Sequence, residues 1–251
     1  MTRWHWLELL LLTAGAAAAL AAVPVGMGVW GLSWDALNHH VYLGFFSESP
    51  RWHLDVNAAS IQSWQYPYLY WPVFRLTQLP IDGATAGAAW AIFLCCLMVP
   101  PLWVITYGLL PAQAGVWQAV WERSAACALG LLSLVVLSAI GTTANDPLSV
   151  VPLLWALALM SMPEPDNRRV AVSGAFWGMA CAFKISNALS LPLLLVWWWR
   201  GPGLTFPLCR GWALGFGATA GFGLAYAPWG WQLWVQTGNP FFPFFQSVFG
   251  G

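Results

Sequence analysis

The chain has 251 residues, of which 59% are hydrophobic and 7% charged, far below the roughly 25% charge of an ordinary soluble domain. Its formal net charge is zero, which leaves nucleic acid without electrostatic support as a partner. Mean hydropathy of +0.64 and 20 tryptophans, a residue that favours the headgroup layer, predict an integral membrane protein. Cys95, Cys96, Cys127, Cys181 and Cys209 lie in or beside apolar runs with no CxxC pair. That is the usage of small buried hydrophobes, with neither a disulfide framework nor a zinc site.

Residues 7–30 are an apolar run long enough to span a bilayer, and Arg3 ahead of it predicts a cytoplasmic N-terminus. Small residues at 19–22 also fit a signal-peptide cleavage site, although the run is longer than a usual h-region. Either way, the next segment is expected on the outer side. This outer loop covers 31–83 and opens with GLSWDALNHHVYLGFF. Read as a helix, it puts Asp35, Asn38, His39 and Tyr42 on one face at i, i+3, i+4 and i+7. Leu37, Val41, Gly44 and Phe45 then fall on the other, the pattern of an amphipathic helix at the membrane surface. A turn around Pro50 follows. Tyr66, Tyr68, Tyr70 and Trp71, broken by Pro67 and Pro72, suggest a second interfacial segment, either part of an aromatic belt or a surface for stacking sugar rings.

Further spans are expected at 84–110, 124–141, 147–162, 170–183, 188–199 and 212–234. With the first run they make about seven, an all-α integral membrane protein in one polytopic domain over 1–251. The segment before residue 124, with Glu122 and Arg123, reads as an inner connection. The runs 170–183 and 188–199 are short for full spans, which predicts a tilted or broken hairpin around Lys184. Arg3, Arg123, Arg168, Arg169, Arg200 and Arg210 all fall inside on this layout, and only Arg51, Arg75 and Lys184 fall outside, as the positive-inside rule requires. The carboxylates do the reverse: Asp35, Glu48, Asp55, Asp82 and Asp146 are all placed outside.

A site is therefore expected on the outer face. Asp55 and Asp82 read as solvated carboxylates. Asp146 before Pro147 also suits a helix N-cap, and Lys184 also suits a side chain that merely snorkels. Asp35 and His39 stand at i+4 spacing beside His40, so a divalent metal is an open alternative, but no third ligand is fixed by sequence. No Gly-rich phosphate loop, GxSxG or HExxH occurs.

WDALNHHVY in the first outer loop, TTANDPLS at the next outer turn, FKISNAL after the fifth span and TGNPFFPFF after the seventh resemble bacterial polytopic glycosyltransferases of the GT-C class. These are relatives of protein O-mannosyltransferases and of the lipid A aminoarabinose transferase. The resemblance covers the whole chain in order. It implies a multi-pass inner-membrane enzyme, N-terminus cytoplasmic and C-terminus outside, that moves a sugar from a polyprenyl-phosphate donor to an acceptor hydroxyl among membrane lipid. It also implies that Asp35 is the general base, that Asp146 is a supporting or metal-binding residue, and that Lys184 meets the donor phosphate, with Asn38, His39 and His40 beside the substrate. Two features depart from the family. Asp35 is followed by Ala36 and Leu37 where a paired-acid motif is expected, and relatives continue beyond TGNPFFPFFQSVFGG, which implies further spans, on a second chain if they are separate. Two other classes remain as alternatives, a lipid or polysaccharide transporter and a non-catalytic membrane subunit or truncated relative. Spans nearly free of charge argue against an ion-coupled carrier.

Overall fold

A computed structural model describes residues 3–31, 33–55, 57–110, 115–163, 166–198 and 208–250. Arg200, counted above with the inner cations, lies outside them. Every element among the described residues is helical, as the composition predicts. α1 (Arg3–Met27) and α4 (Gly83–Leu109) are long and apolar enough to cross a membrane. α1 stops where Gly28 takes φ +70° and its N–H returns to the Pro24 carbonyl at 2.9 Å, a left-handed terminus that glycine adopts without steric cost. α4 starts where the Asp82 carboxylate accepts the Thr85 N–H at 2.9 Å, an N-cap that accounts for Asp82 without any site role.

α1 and α4 run antiparallel. Gly87 faces Pro24 and Trp30 at one end, and at the other the Trp103 indole N–H donates to Glu8 Oε1 at 2.9 Å. Ala17, Leu20, Ala91, Cys95 and Val99 fill the seam between them, with Cys127, Leu131 and Ile140 closing it from one side. Those last residues come from α5 (Val116–Leu131) and α6 (Leu134–Ile140), two helices where a single span was expected. The break falls at Leu132–Ser133, where the Ser133 hydroxyl caps the new helix. Arg123 also differs from expectation. It sits within α5, and its guanidinium donates to both oxygens of Glu8 at 2.7 Å, the two side chains being 10% and 8% exposed. A two-point pair of this geometry lets charges stay in an apolar seam that would otherwise exclude them.

α7 (Asp146–Ser161) and α8 (Asn167–Phe183) form an antiparallel pair, tied where the Ser173 hydroxyl donates to the Ala156 carbonyl at 2.9 Å. A 3₁₀ segment (Ile185–Ser190) and α9 (Leu191–Trp198) follow, so the expected broken hairpin is present. α10 (Leu208–Thr237) then runs beside α8. The two meet through glycines: a Cβ on Gly174 or Gly178 would strike the backbone of Leu214 or Ala218, and one on Gly217 or Gly221 would strike that of Ala171 or Ala175. These are two facing small-xxx-small stripes, the motif that lets apolar helices touch backbone to backbone.

One end of the bundle collects Arg123, Arg169 and Arg210. The other, the loop end, carries a cap built from 31–82. Its elements are a π turn (Ala36–His40), α2 (Val41–Glu48), 3₁₀ turns at Ser60–Trp64 and Tyr68–Tyr70, and α3 (Trp71–Thr77). The Gly31 N–H reaches the Gly141 carbonyl at 3.3 Å and the Trp30 indole reaches the Thr142 carbonyl at 3.2 Å. Gly44 lets α2 lie directly on Tyr70 and Phe74. The aromatic run packs inward onto α10: Tyr66 donates to the Ala225 carbonyl at 3.1 Å, Gln232 donates to the Tyr68 hydroxyl at 2.9 Å, and Phe46, Trp52, Trp64, Trp229 and Phe242 share one cluster. The final segment folds back on α10, where the Tyr226 hydroxyl donates to the Pro240 carbonyl at 3.0 Å, and ends in the short α11 (Gln246–Phe249). Cys95, Cys127 and Cys181 are buried as expected, whereas Cys96 and Cys209 are exposed.

The glycine seam gives a direct test. Gly178→Ala and Gly221→Ala each force a methyl against backbone, and should lower detergent-solubilised stability by about 1–3 kcal/mol or more. Gly223→Ala, with open space around its Cβ, should be neutral or slightly stabilising. Thermal melting of the three variants separates the outcomes; equal behaviour would mean that the seam is not where α8 and α10 are held.

Candidate functional site

The stretch around Asp35 does not present the polar face that simple helical spacing predicts. Ala36–His40 is one π turn, closed by the Val41 N–H on the Ala36 carbonyl. Its i→i+5 bonding widens the turn. His39 and His40 both turn inward and are buried, while Leu37, Trp34 and Asp35 face out. Asp35 has 59% of its side chain exposed, and its Oδ1 stands 3.9 Å from His39 Nδ1. That nitrogen has no hydrogen-bond partner. Asn38 is half-buried on the same turn.

His40 is the hub. Its ring stacks on Tyr70 at 4.8 Å and 22° and meets His39 edge-on at 4.4 Å, while its Nδ1 shares a 2.7 Å hydrogen bond with the Thr143 hydroxyl. Thr143 belongs to the α6–α7 turn, so this bond joins the cap to the bundle across 103 residues of sequence. Burial, with His39 alongside, pushes the His40 pKa down to about 4 although Asp35 and Asp146 pull the other way. Burial also lowers His39 against the field of Asp35 and raises the Tyr70 phenol, helped by Asp146 and Asp35. Both imidazoles are therefore neutral at pH 7. The His40–Thr143 bond sets the π turn against the turn that leads into Asp146, and the Asp146–Lys184 pair adds the end of α8.

Asp146 and Lys184 form an ion pair at that hub, their side chains 45% and 41% exposed. The N-cap of α7 is Asn145, not Asp146, which leaves the Asp146 carboxylate free for Lys184. Asn187 holds the pair in register. Its amide donates to the Ser149 carbonyl at 3.1 Å and to the Ala180 carbonyl at 2.9 Å, tying the end of α8 to the start of α7. The FKISNAL and TTANDPLS segments thus meet through one buried amide bond, from Asn187 to the Ser149 carbonyl 38 residues away.

Of the expected site residues, Asp35, His39, His40, Asp146 and Lys184 are gathered in one neighbourhood, with Asn38 at its margin. Thr143 and Asn187 join them without having been singled out, and so does Tyr70, which the sequence offered only as one of an aromatic run. Thr143 and Asn187 carry the weak signal of polar residues beside apolar runs, and Tyr70 is masked by its aromatic neighbours. Asp55 pairs with Arg51 at 2.9 Å, and Glu48 holds Arg75 and Trp71, so these carboxylates serve the cap. Among the described residues no group of three His, Cys, Asp or Glu side chains could hold a metal ion. An open groove of about 480 Å³ between α3 and α4, lined by Trp71, Leu76, Trp90 and Phe93 among others, includes none of the cluster residues. Compared with known proteins, the chain matches no family model, no curated protein and no solved structure.

The depressed His40 pKa carries a pH dependence. Between 6.5, its ordinary value, and about 4, the unfolded chain binds a proton that the folded chain refuses. The stability His40 contributes is thus present above that window and lost as pH falls through it. Melting temperature followed from neutral to acid should drop across this interval, and the slope should flatten in His40→Gln. An unchanged slope in the variant would assign the loss to other groups.

Proposed function

We propose that this protein is a multi-pass membrane glycosyltransferase that moves a sugar from a polyprenyl-phosphate donor to an acceptor hydroxyl at the outer face of the membrane. The observation that carries the reading is the gathering of Asp35, His39, His40, Asp146 and Lys184 from three distant segments at one end of the bundle. An exposed carboxylate beside neutral imidazoles and an ammonium group suits a reaction that must take a proton at one atom and receive a phosphate at another.

The bilayer placement rests on two features. Leu10, Leu11 and Val25 of α1, Ile92 and Phe93 of α4, and Phe216 and Leu224 of α10 are exposed, a surface that lipid would cover. Exposed tryptophans lie toward both ends, Trp4, Trp6, Trp117, Trp121 and Trp212 at the arginine end and Trp34, Trp71, Trp231 and Trp234 at the loop end, as interfacial belts do. In this arrangement α5–α6, α7, α8, α9 and α10 complete about seven crossings, the shorter ones tilted or locally thinning the bilayer. The arginine end is cytoplasmic.

In the transfer, the acceptor oxygen attacks the anomeric carbon while the bond from that carbon to the phosphate oxygen breaks. The electron pair leaves with the phosphate, whose charge Lys184 offsets, and the acceptor's proton goes to Asp35. A positioned general base contributes about 10²–10⁴-fold in rate. Asp35→Asn should therefore leave expression and membrane insertion intact and lower transfer by at least about two orders of magnitude. Asp55→Asn should change it only a few-fold, because Asp55 pairs with Arg51 in the cap. Equal, mild effects in a radiolabelled-sugar transfer assay would remove the enzyme reading and favour a non-catalytic subunit.

Orientation has its own test. In intact cells an impermeant thiol reagent should label a cysteine placed at Ser47 and miss one placed at Asn167. Labelling at 167 would overturn the layout.

A further inference from the structure

We propose that the Asp146–Lys184 pair is a latch, opened when a phosphate carried on an isoprenoid chain takes Lys184 away from Asp146. The proposal rests on the transferase reading above and adds how the lipid phosphate, a diester in the donor and a monoester once the sugar has left, obtains its cation.

The two ion pairs among the described residues of the helical bundle differ in kind. Glu8 and Arg123 are about nine-tenths buried and joined at two points, and separating them would strand charge in an apolar seam. Asp146 and Lys184 are 45% and 41% exposed and joined through one carboxylate oxygen, and a half-exposed pair of this sort is weak and easily exchanged.

Each member has somewhere else to go. Asp146 lies in the first turn of α7, whose N-cap Asn145 makes no side-chain bond to the helix. The leading N–H groups there lack intrahelical acceptors, and the positive end of the helix favours a carboxylate. Asp146 therefore stays stabilised after Lys184 departs. Lys184 ends α8 with its own N–H on the Ala180 carbonyl at 3.0 Å, and Asn187 pins the backbone beside it. The ammonium stays at the mouth of the cluster when the pair opens. Ile185 and Leu189, next along the chain, are exposed, an apolar flank that fits the hydrocarbon of a lipid phosphate and not a free phosphate ion.

Farnesyl phosphate, titrated by intrinsic tryptophan fluorescence against the whole protein in nanodiscs, tests this. Asp146→Asn should tighten binding by about three- to fivefold, the scale of a half-exposed ion pair. Lys184→Gln should weaken it, and in the Lys184→Gln background Asp146→Asn should add nothing, because there is no cation left to release. Weaker binding in Asp146→Asn would make Asp146 an orienting partner and overturn the latch. The same tightening with and without Lys184 would show a general field effect and also overturn it. Size-exclusion profiles check folding, and Asp146→Ser stands in if the amide is not tolerated. Wild-type protein that binds farnesyl phosphate no better than inorganic phosphate would remove the lipid-phosphate reading and the latch together. Failure of the latch alone leaves wild-type farnesyl phosphate binding intact.

Discussion

The arrangement depends on the close approach of α8 and α10. Four glycines remove the side chains that would keep the two backbones apart, so the last long helix lies directly against the one that ends in Lys184. From that seam α10 rises to hold Tyr66 and Tyr68 and, through its own Trp229, Phe46 and Trp52, and with them the segment leading to Tyr70. Tyr70 is the floor on which His40 stacks. A methyl group at the seam would therefore be felt at the cluster.

Charge is used in two ways. The buried Glu8–Arg123 pair ties α1 to α5 and sits under Trp103 and Tyr107, where a single unpaired charge would be prohibitive. The half-exposed groups at the loop end are instead left with slack: Asp35 does not reach His39, and Lys184 is held by one carboxylate alone. Rigid polar bonds surround them, from His40 to Thr143 and from Asn187 to two carbonyls.

His39 and His40 face inward together with Ala36, Leu43 and Gly44, the i, i+3, i+4, i+7, i+8 stripe of an amphipathic helix, and Asp35 stays at its edge, 3.9 Å from His39. The π turn at Ala36–His40 falls within this stripe, a rare form that is frequent at functional sites.

By itself the sequence determined the all-helical class, the two long apolar helices and the concentration of ionisable groups in the 31–83 segment. Each of these follows from local composition, spacing or capping chemistry. It also marked Asp35, His39, His40, Asp146 and Lys184, because ionisable residues stand out in a chain with so little charge. Tertiary structure alone decided the rest. The i, i+3, i+4 pattern assumed 3.6 residues per turn, and packing of Gly44 against Tyr70 and Phe74 accompanies a turn that departs from it. Arg123 looked like a connector because its partner, Glu8, lies 115 residues away. The glycines of α8 and α10 were visible as a pattern, but which helix would meet which depended on the fold. Thr143, Tyr70 and Asn187 entered the site through contacts that no local window contains.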